Sequence, residues 1–464
     1  MARRLLKLIL WGIGGVLSLV VIAYTVLLLA NLEDRPPAAE IAILKSLQDD
    51  ASPVVSDNNS YLFMLGFEGP PDSDPLSTGI DRYEWMKMAR PEFDGADDPL
   101  RDEYGFRADR SDAVSQLAKT CAESEAECSR LLDSKQEIVE RWLADERWLL
   151  ERYRSLISMT EFSEATPFEL LAPLPPYDVL MEGQRLHMAD AWMSATVGDA
   201  MLVSVALDSD LTYWRMVLKN SDVLFTKMIA TAAIIQHFKL GNIILRRLPQ
   251  RMKADGIPAS WRAAISLEER SMKRSLAGEW IFFEETTKKI VAETEVPFGS
   301  WLGLTDYTIW DRAAWLLLKP LWQPQDLSNR HARLMLDIAN AFDVPYEEMP
   351  DAIGIADDLR HSAYRRFSRL YNFTGDVVMS ANYWSVSDYA VRVSDLEGIR
   401  RAALLVACLR ASDTSKDDVV DRIVDSELVD PYTNKPFAWS ASEGAVVFSG
   451  LQSHEERSQH KLIF

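Results

Sequence analysis

Cysteine is scarce. The chain has three among 464 residues, too few for a disulfide-rich scaffold. Histidine is scarce too. His187, His237, His331, His361, His454 and His460 include no pair three or four residues apart, so no helix carries the two imidazoles of a local metal site on one face. Basic residues are outnumbered, 50 Lys and Arg against 70 Asp and Glu, for a formal charge of −20. That balance argues against nucleic acid, whose phosphates need clustered Lys and Arg. Gly-x-Ser-x-Gly, His-Glu-x-x-His, Gly-x-x-x-x-Gly-Lys and Gly-x-Gly-x-x-Gly are all missing. No cofactor or metal is therefore expected, and the balance of these absences is against an enzyme. The sequence names neither a reaction nor a partner.

What is present is ordinary folded-protein composition, 48% hydrophobic and 26% charged. One uncharged run of 25 residues, Leu8 to Leu32, stands at the N-terminus. As a helix it exceeds the roughly 30 Å hydrocarbon core of a bilayer. A cleaved signal peptide would have a shorter apolar core and a small-x-small site; Leu28-Leu29-Ala30 is a poor one, so an uncleaved anchor is expected. Arg3, Arg4 and Lys7 precede the run and Glu33 and Asp34 follow it. Basic flanks stay in the cytoplasm, which places the rest of the chain outside, in the periplasm of a bacterial inner membrane. Residues 33–128 hold 22 acidic and 9 basic side chains, a net of −13. The charge is thus concentrated beside the membrane, as a solvated segment or a docking surface for a basic partner.

Pattern divides the chain into four parts. Residues 1–32 are the cytoplasmic tip and anchor. Residues 33–112 are acidic and loop-rich, beginning as a stalk at Pro36-Pro37, with an apolar run at Ser60–Phe67 that reads as a strand or buried extended piece. Residues 113–428 are a helical body. Its strongest expectation is one helix over Leu211–Leu240, where Trp214, Val217, Leu224, Met228, Ile235 and Phe238 form a stripe. Single helices are also expected at Asp112–Leu132, Lys135–Met159 and Pro258–Val291. Residues 429–464 read as a turn, a β-hairpin and a polar tail. The fold class is mainly α: one transmembrane helix, a large helical domain of bundle or irregular solenoid-like form, and a small C-terminal β-hairpin.

Three groups carry candidate chemistry. Glu269 lies on the stripe of Ile265, Met272, Leu276 and Phe283. A carboxylate there must be paired or protonated; a partner from the Arg215 helix makes it structural, and a raised pKa makes it a general acid. Trp301, Trp310, Trp315 and Trp322 crowd one segment, as a ligand platform for glycans or lipids or as core. Cys121 and Cys128, on a continuous helix, are about 10.5 Å apart along the axis. A bridge needs Cα atoms under about 7 Å apart, hence a break that the intervening residues do not favour.

Several segments together resemble an uncharacterised family of bacterial inner-membrane-anchored, mainly helical periplasmic proteins. They are Asn59–Gly66, the Cys121/Cys128 pair, Tyr213–Ala230, Pro320–Asn329, Leu370–Met379, Tyr389–Arg401 and Asp430–Pro436. The resemblance implies architecture without a mechanism, and it implies that Cys121 and Cys128 are bridged. Asn434 stands where such turns carry Gly, and Asn also tolerates positive φ. The expected function is a membrane-anchored periplasmic scaffold or binding protein with a protein partner. The alternatives are an envelope hydrolase using Glu269 and a lipid- or glycan-binding protein.

Overall fold

The computed structural model describes residues 2–49, 56–88, 111–123, 125–164, 172–292, 309–364, 370–381, 386–452 and 458–464. The chain is mainly helical. Helix α1 (Ala2–Ala30) carries the apolar run. Its stretch Leu10–Ala30 is long and apolar enough to cross a membrane, and no residue of its most apolar window is buried. Helices α2 (Ala39–Asp49), α3 (Ser60–Leu65) and α4 (Pro75–Met88) follow. The Ser60–Phe67 run is thus helix rather than strand. The Asn59 side chain accepts from the Tyr61 amide and starts the turn, and all six residues of α3 are buried. Burial on every side erases the periodicity that distinguishes helix from strand.

Helices α5 (Asp112–Glu123), α6 (Glu125–Ser134), α7 (Gln136–Asp145) and α8 (Arg147–Ile157) replace the two long helices expected there. Cys121 and Cys128 form a disulfide with Cα atoms 4.5 Å apart, too close for one continuous helix. The bridge favours a redox setting that is oxidising.

The centre is built by α9 (Tyr177–Val197), α10 (Ala200–Asn220) and α11 (Leu224–Arg247). The Leu211–Leu240 stripe therefore spans two helices. The cause is Ser221-Asp222, residues that favour caps over helix interiors. Glu164 stabilises the break from another segment: its carboxylate accepts from the Asp222 and Val223 amides. Trp214, Val217, Leu224 and Phe238 are nevertheless buried, and Met228 and Ile235 are partly so. Helix α11 passes the same composition test as the anchor, yet most of it is buried.

The expected helix over Pro258–Val291 is also interrupted. After α12 (Lys253–Gly256), Ser266 opens a one-turn helix, α13 (Leu267–Arg270), by a capping box with Glu269, and Ser271 ends it in an extended conformation. Only then does α14 (Lys273–Ala292) begin. Helices α15 (Ile309–Leu318), α16 (Pro324–Phe342), α17 (Met349–Tyr364), α18 (Phe373–Ala381), α19 (Ser387–Ala411) and α20 (Val419–Val424) complete the body.

Strands β1 (Ala438–Ser440), β2 (Ala445–Ser449) and β3 (Gln459–Ile463) form an antiparallel sheet in sequence order. The tail therefore adds a third strand to the hairpin, pairing Val446 with Leu462. Helix α19 runs unbroken through Gly398, where a Cβ would collide with the Phe448 ring. Asn434 holds φ 53, so the turn tolerates its departure from Gly.

The residues after the anchor are not a free stalk. Asn31 donates to the Leu370 carbonyl and accepts from the Asn372 amide, and Gln323 donates to the Asn31 carbonyl. The Asp34 carboxylate accepts from the Gln325 and Asp326 amides, capping α16 from outside. Asn329 donates to the Pro36 carbonyl, and Arg333 pairs with Glu40. These bonds strap residues 31–40 onto the body. Residues 320–329 and 370–379 meet at this clamp.

Candidate functional site

The most distinctive surface lies at the corner between α9 and α10. Gly198 ends α9 with φ 82, a left-handed cap that suits glycine. Asp199 then caps α10 by accepting from the Leu202 amide. This tight corner turns four apolar side chains outward. Val197 is 82% exposed, Met201 78%, and Leu202 and Val205 56% each. Such a cluster costs solubility and marks a contact surface more often than chance. An open groove of about 730 Å³ runs beside it, lined by Val197, Met201, Val205 and Met252 and edged by Asp199 and Asp255. A second, of about 590 Å³, continues along α10 past Val205, Asp208 and Met216. The surface is an apolar ridge with an acidic rim.

Behind α10 lies a buried polar chain. Trp261 Nε1 donates to His237 Nε2 at 2.7 Å, and His237 Nδ1 lies 2.8 Å from Asp210 Oδ2. Because Nε2 accepts from Trp261, Nδ1 is the nitrogen that donates to Asp210. Tyr153 and Gln184 also donate to Asp210, and Trp214 donates to the Tyr153 hydroxyl. Burial opposes the Asp210 charge, but bonds from His237 and Tyr153 outweigh it and hold the carboxyl below its ordinary value. A carboxylate orienting a histidine is the geometry of a catalytic base. Here both side chains are fully buried and His237 Nε2 is occupied by Trp261, so the chain ties α8, α9, α10 and α11 together.

Glu269 faces an arginine. Arg215 Nε and Nη2 reach its two oxygens at 2.6 and 2.9 Å. Burial pushes this carboxyl up, and hydrogen bonds from Arg215 and Ser266 prevail, leaving it below its ordinary value. Lys227 stands behind it, fully buried, its Nζ donating to the Leu218 and Glu269 carbonyls. Desolvation drives that amine down to about 7. Lys227 and Asp210 stand in no motif, and His237 is one of six histidines without a partner at helical spacing. A signal existed for Lys227, since it falls between Leu224 and Ala230 on the apolar face of α11.

The tryptophans do not assemble a described platform. Trp315 and Trp322 are buried and pack edge to face with centroids 5.8 Å apart. Trp301 and the Trp310 side chain lie outside the described residues. The three groups are separate: the disulfide joins α5 to α6, Glu269 belongs to the capping box that opens α13, and Trp315 and Trp322 precede α16. Among the described residues no three His, Cys, Asp or Glu side chains are placed to hold a metal ion. Comparison of the chain with family models, curated proteins and solved structures finds no match.

Proposed function

We propose that this chain is a membrane-anchored scaffold or binding protein of the bacterial envelope, akin to the inner-membrane-anchored helical proteins its segments resemble. Helix α1 spans the inner membrane with its basic end in the cytoplasm, and the body holds a protein partner in the periplasm. The observation that carries this reading is the ridge of Val197, Met201, Leu202 and Val205. It supports a partner presenting apolar side chains into the groove, with Lys or Arg against Asp199, Asp208 and Asp255. The basic flank of α1 supports the orientation, and the disulfide supports an oxidising compartment. The hydrolase and glycan readings lack a comparable feature: Glu269 is engaged by Arg215, and Trp315 and Trp322 are buried.

A photoreactive residue at Met201, in intact cells, tests the proposal. It should trap one protein in defined yield, whereas the same probe at Val424, 59% exposed, should not. Met201→Glu with Val205→Glu should abolish the complex and leave the helical signal intact. Equal labelling at the two sites, or a complex insensitive to the double substitution, rejects the assignment.

A further inference from the structure

The anchor is not evenly exposed. Along Leu10–Ala30 most side chains are open, but Tyr24, Leu27 and Leu28 are half-buried. With Asn31 they fall at spacings of 3, 1 and 3, one helix face. What covers that face is the last turn of α15 and its continuation. The Tyr24 hydroxyl donates to the Leu317 carbonyl at 2.9 Å, and the Thr374 hydroxyl donates to the Leu318 carbonyl at 2.7 Å. Carbonyls of a helix's last turn lack intrahelical donors. Water satisfies them at an ordinary surface; here side chains do so, as lipid surroundings require.

Tyr24 is six residues short of Ala30, about 9 Å down the helix axis. Interfacial helices lie about 5–10 Å into the headgroup and acyl boundary. Leucines stand around this point. Leu316 is 71% exposed, Leu317 55%, Leu370 60% and Leu32 72%. Trp315, buried on Trp322, turns the opposite side of α15 into the body. The Asn31–Gln323–Asn372 clamp fixes the height of this collar relative to the span.

We propose that the C-terminal turn of α15 is embedded in the outer leaflet of the bilayer that α1 crosses, with Leu316 and Leu317 facing acyl chains, so that the body is seated on the membrane. This rests on reading α1 as a span. The occupant is lipid because the collar is continuous with the face of α1 that already lies in lipid.

Nitroxide accessibility of the full-length chain in phosphatidylcholine vesicles tests this. With Cys408→Ser in place, single labels enter through Leu316→Cys or Leu317→Cys. Val20→Cys, 59% exposed in mid-span, is the lipid reference, and Val424→Cys, also 59% exposed, is the aqueous one. Positions 316 and 317 should be relaxed more by oxygen than by a water-soluble nickel chelate, as at position 20 and opposite to position 424. If 316 and 317 behave like 424 while 20 stays in lipid, the seating is wrong and the anchor stands. Shielding of 316 and 317 from both reagents assigns the collar to a second copy and also overturns the proposal. Aqueous behaviour at 20 overturns the anchor reading and this inference with it.

Discussion

Buried carboxylates in this protein differ by what surrounds them. Glu164 is buried with donors on both oxygens: the Thr226 hydroxyl, and the Asp222 and Val223 amides. Desolvation prevails and lifts its pKa from 4.5 to about 7. The folded state therefore keeps a proton that the unfolded chain releases near 4.5. Stability from this group is full below that value and is lost as pH rises towards 7, by at most about 1.4 kcal/mol per pH unit. Glu164→Gln keeps the amide acceptor and removes the titration. The stability of the variant relative to the wild type should rise through that window in urea unfolding followed by tryptophan fluorescence. A difference that stays flat with pH rejects a raised Glu164. Glu269 has the opposite balance, because Arg215 supplies a bidentate partner. Glu269→Gln removes the charge and one acceptor from Arg215, which keeps the Ser260, Ala263 and Ala264 carbonyls, so the loss should be about 1–3 kcal/mol. A general acid would instead lose turnover at unchanged stability, so unfolding and activity assays on one variant separate the two roles.

At the scale of elements, hydrophobic periodicity located the helices but not their ends. The stripe from Trp214 to Phe238 is in phase across the α10–α11 break, so spacing alone could not show it. The break depends on Glu164, which is 58 residues before Asp222 in sequence and accepts from its amide only in the fold. Ser266 and Ser271 around α13 are local signals that were legible as caps and were overridden by the longer apolar pattern. The apolar ridge was illegible for a related reason. Met201 and Val205 have the spacing of any core-facing pair, and only packing decides which face of α10 finds no neighbour. The α5–α6 break is held by the disulfide. Its short loop restricts the unfolded chain by about 2–3 kcal/mol in the loop-entropy account. Replacing Cys121 and Cys128 by Ser should lower the unfolding free energy by that amount and loosen α5 from α6. Hydrogen exchange should accelerate more in residues 112–134 than in α11. Uniform acceleration across the body would mean that the bridge stabilises the whole fold cooperatively.

At the scale of the molecule, two helices of like composition meet different surroundings. Leu10–Ala30 and Leu224–Arg247 are both long and apolar enough to cross a membrane, but the first has no buried residue in its most apolar window and the second is mostly buried. What separates them is the polar content of α11: His237 and Asn242 lie on its buried surface, with bonds that only the body supplies. A lipid-facing helix has no use for such groups, and α1 carries none between Leu10 and Ala30 beyond Ser18, Tyr24 and Thr25. Ser18 and Thr25 bond their own helix. The same insult should therefore have opposite consequences. Ala233 is fully buried, and its carbonyl accepts from Gln184. Ala233→Asp places an unpaired charge in the core and should unfold the body, at a cost above about 3 kcal/mol, with the chain still sedimenting with membranes through α1. Leu19→Arg, in the uncovered helix, should leave the thermal melt of the body unchanged and weaken membrane retention, since a central arginine costs about 2.5–3.5 kcal/mol on insertion scales. Circular dichroism melts and alkaline extraction of membranes read the two outcomes separately. If Leu19→Arg melts the body or Ala233→Asp releases the chain, the division of labour between α1 and α11 is wrong.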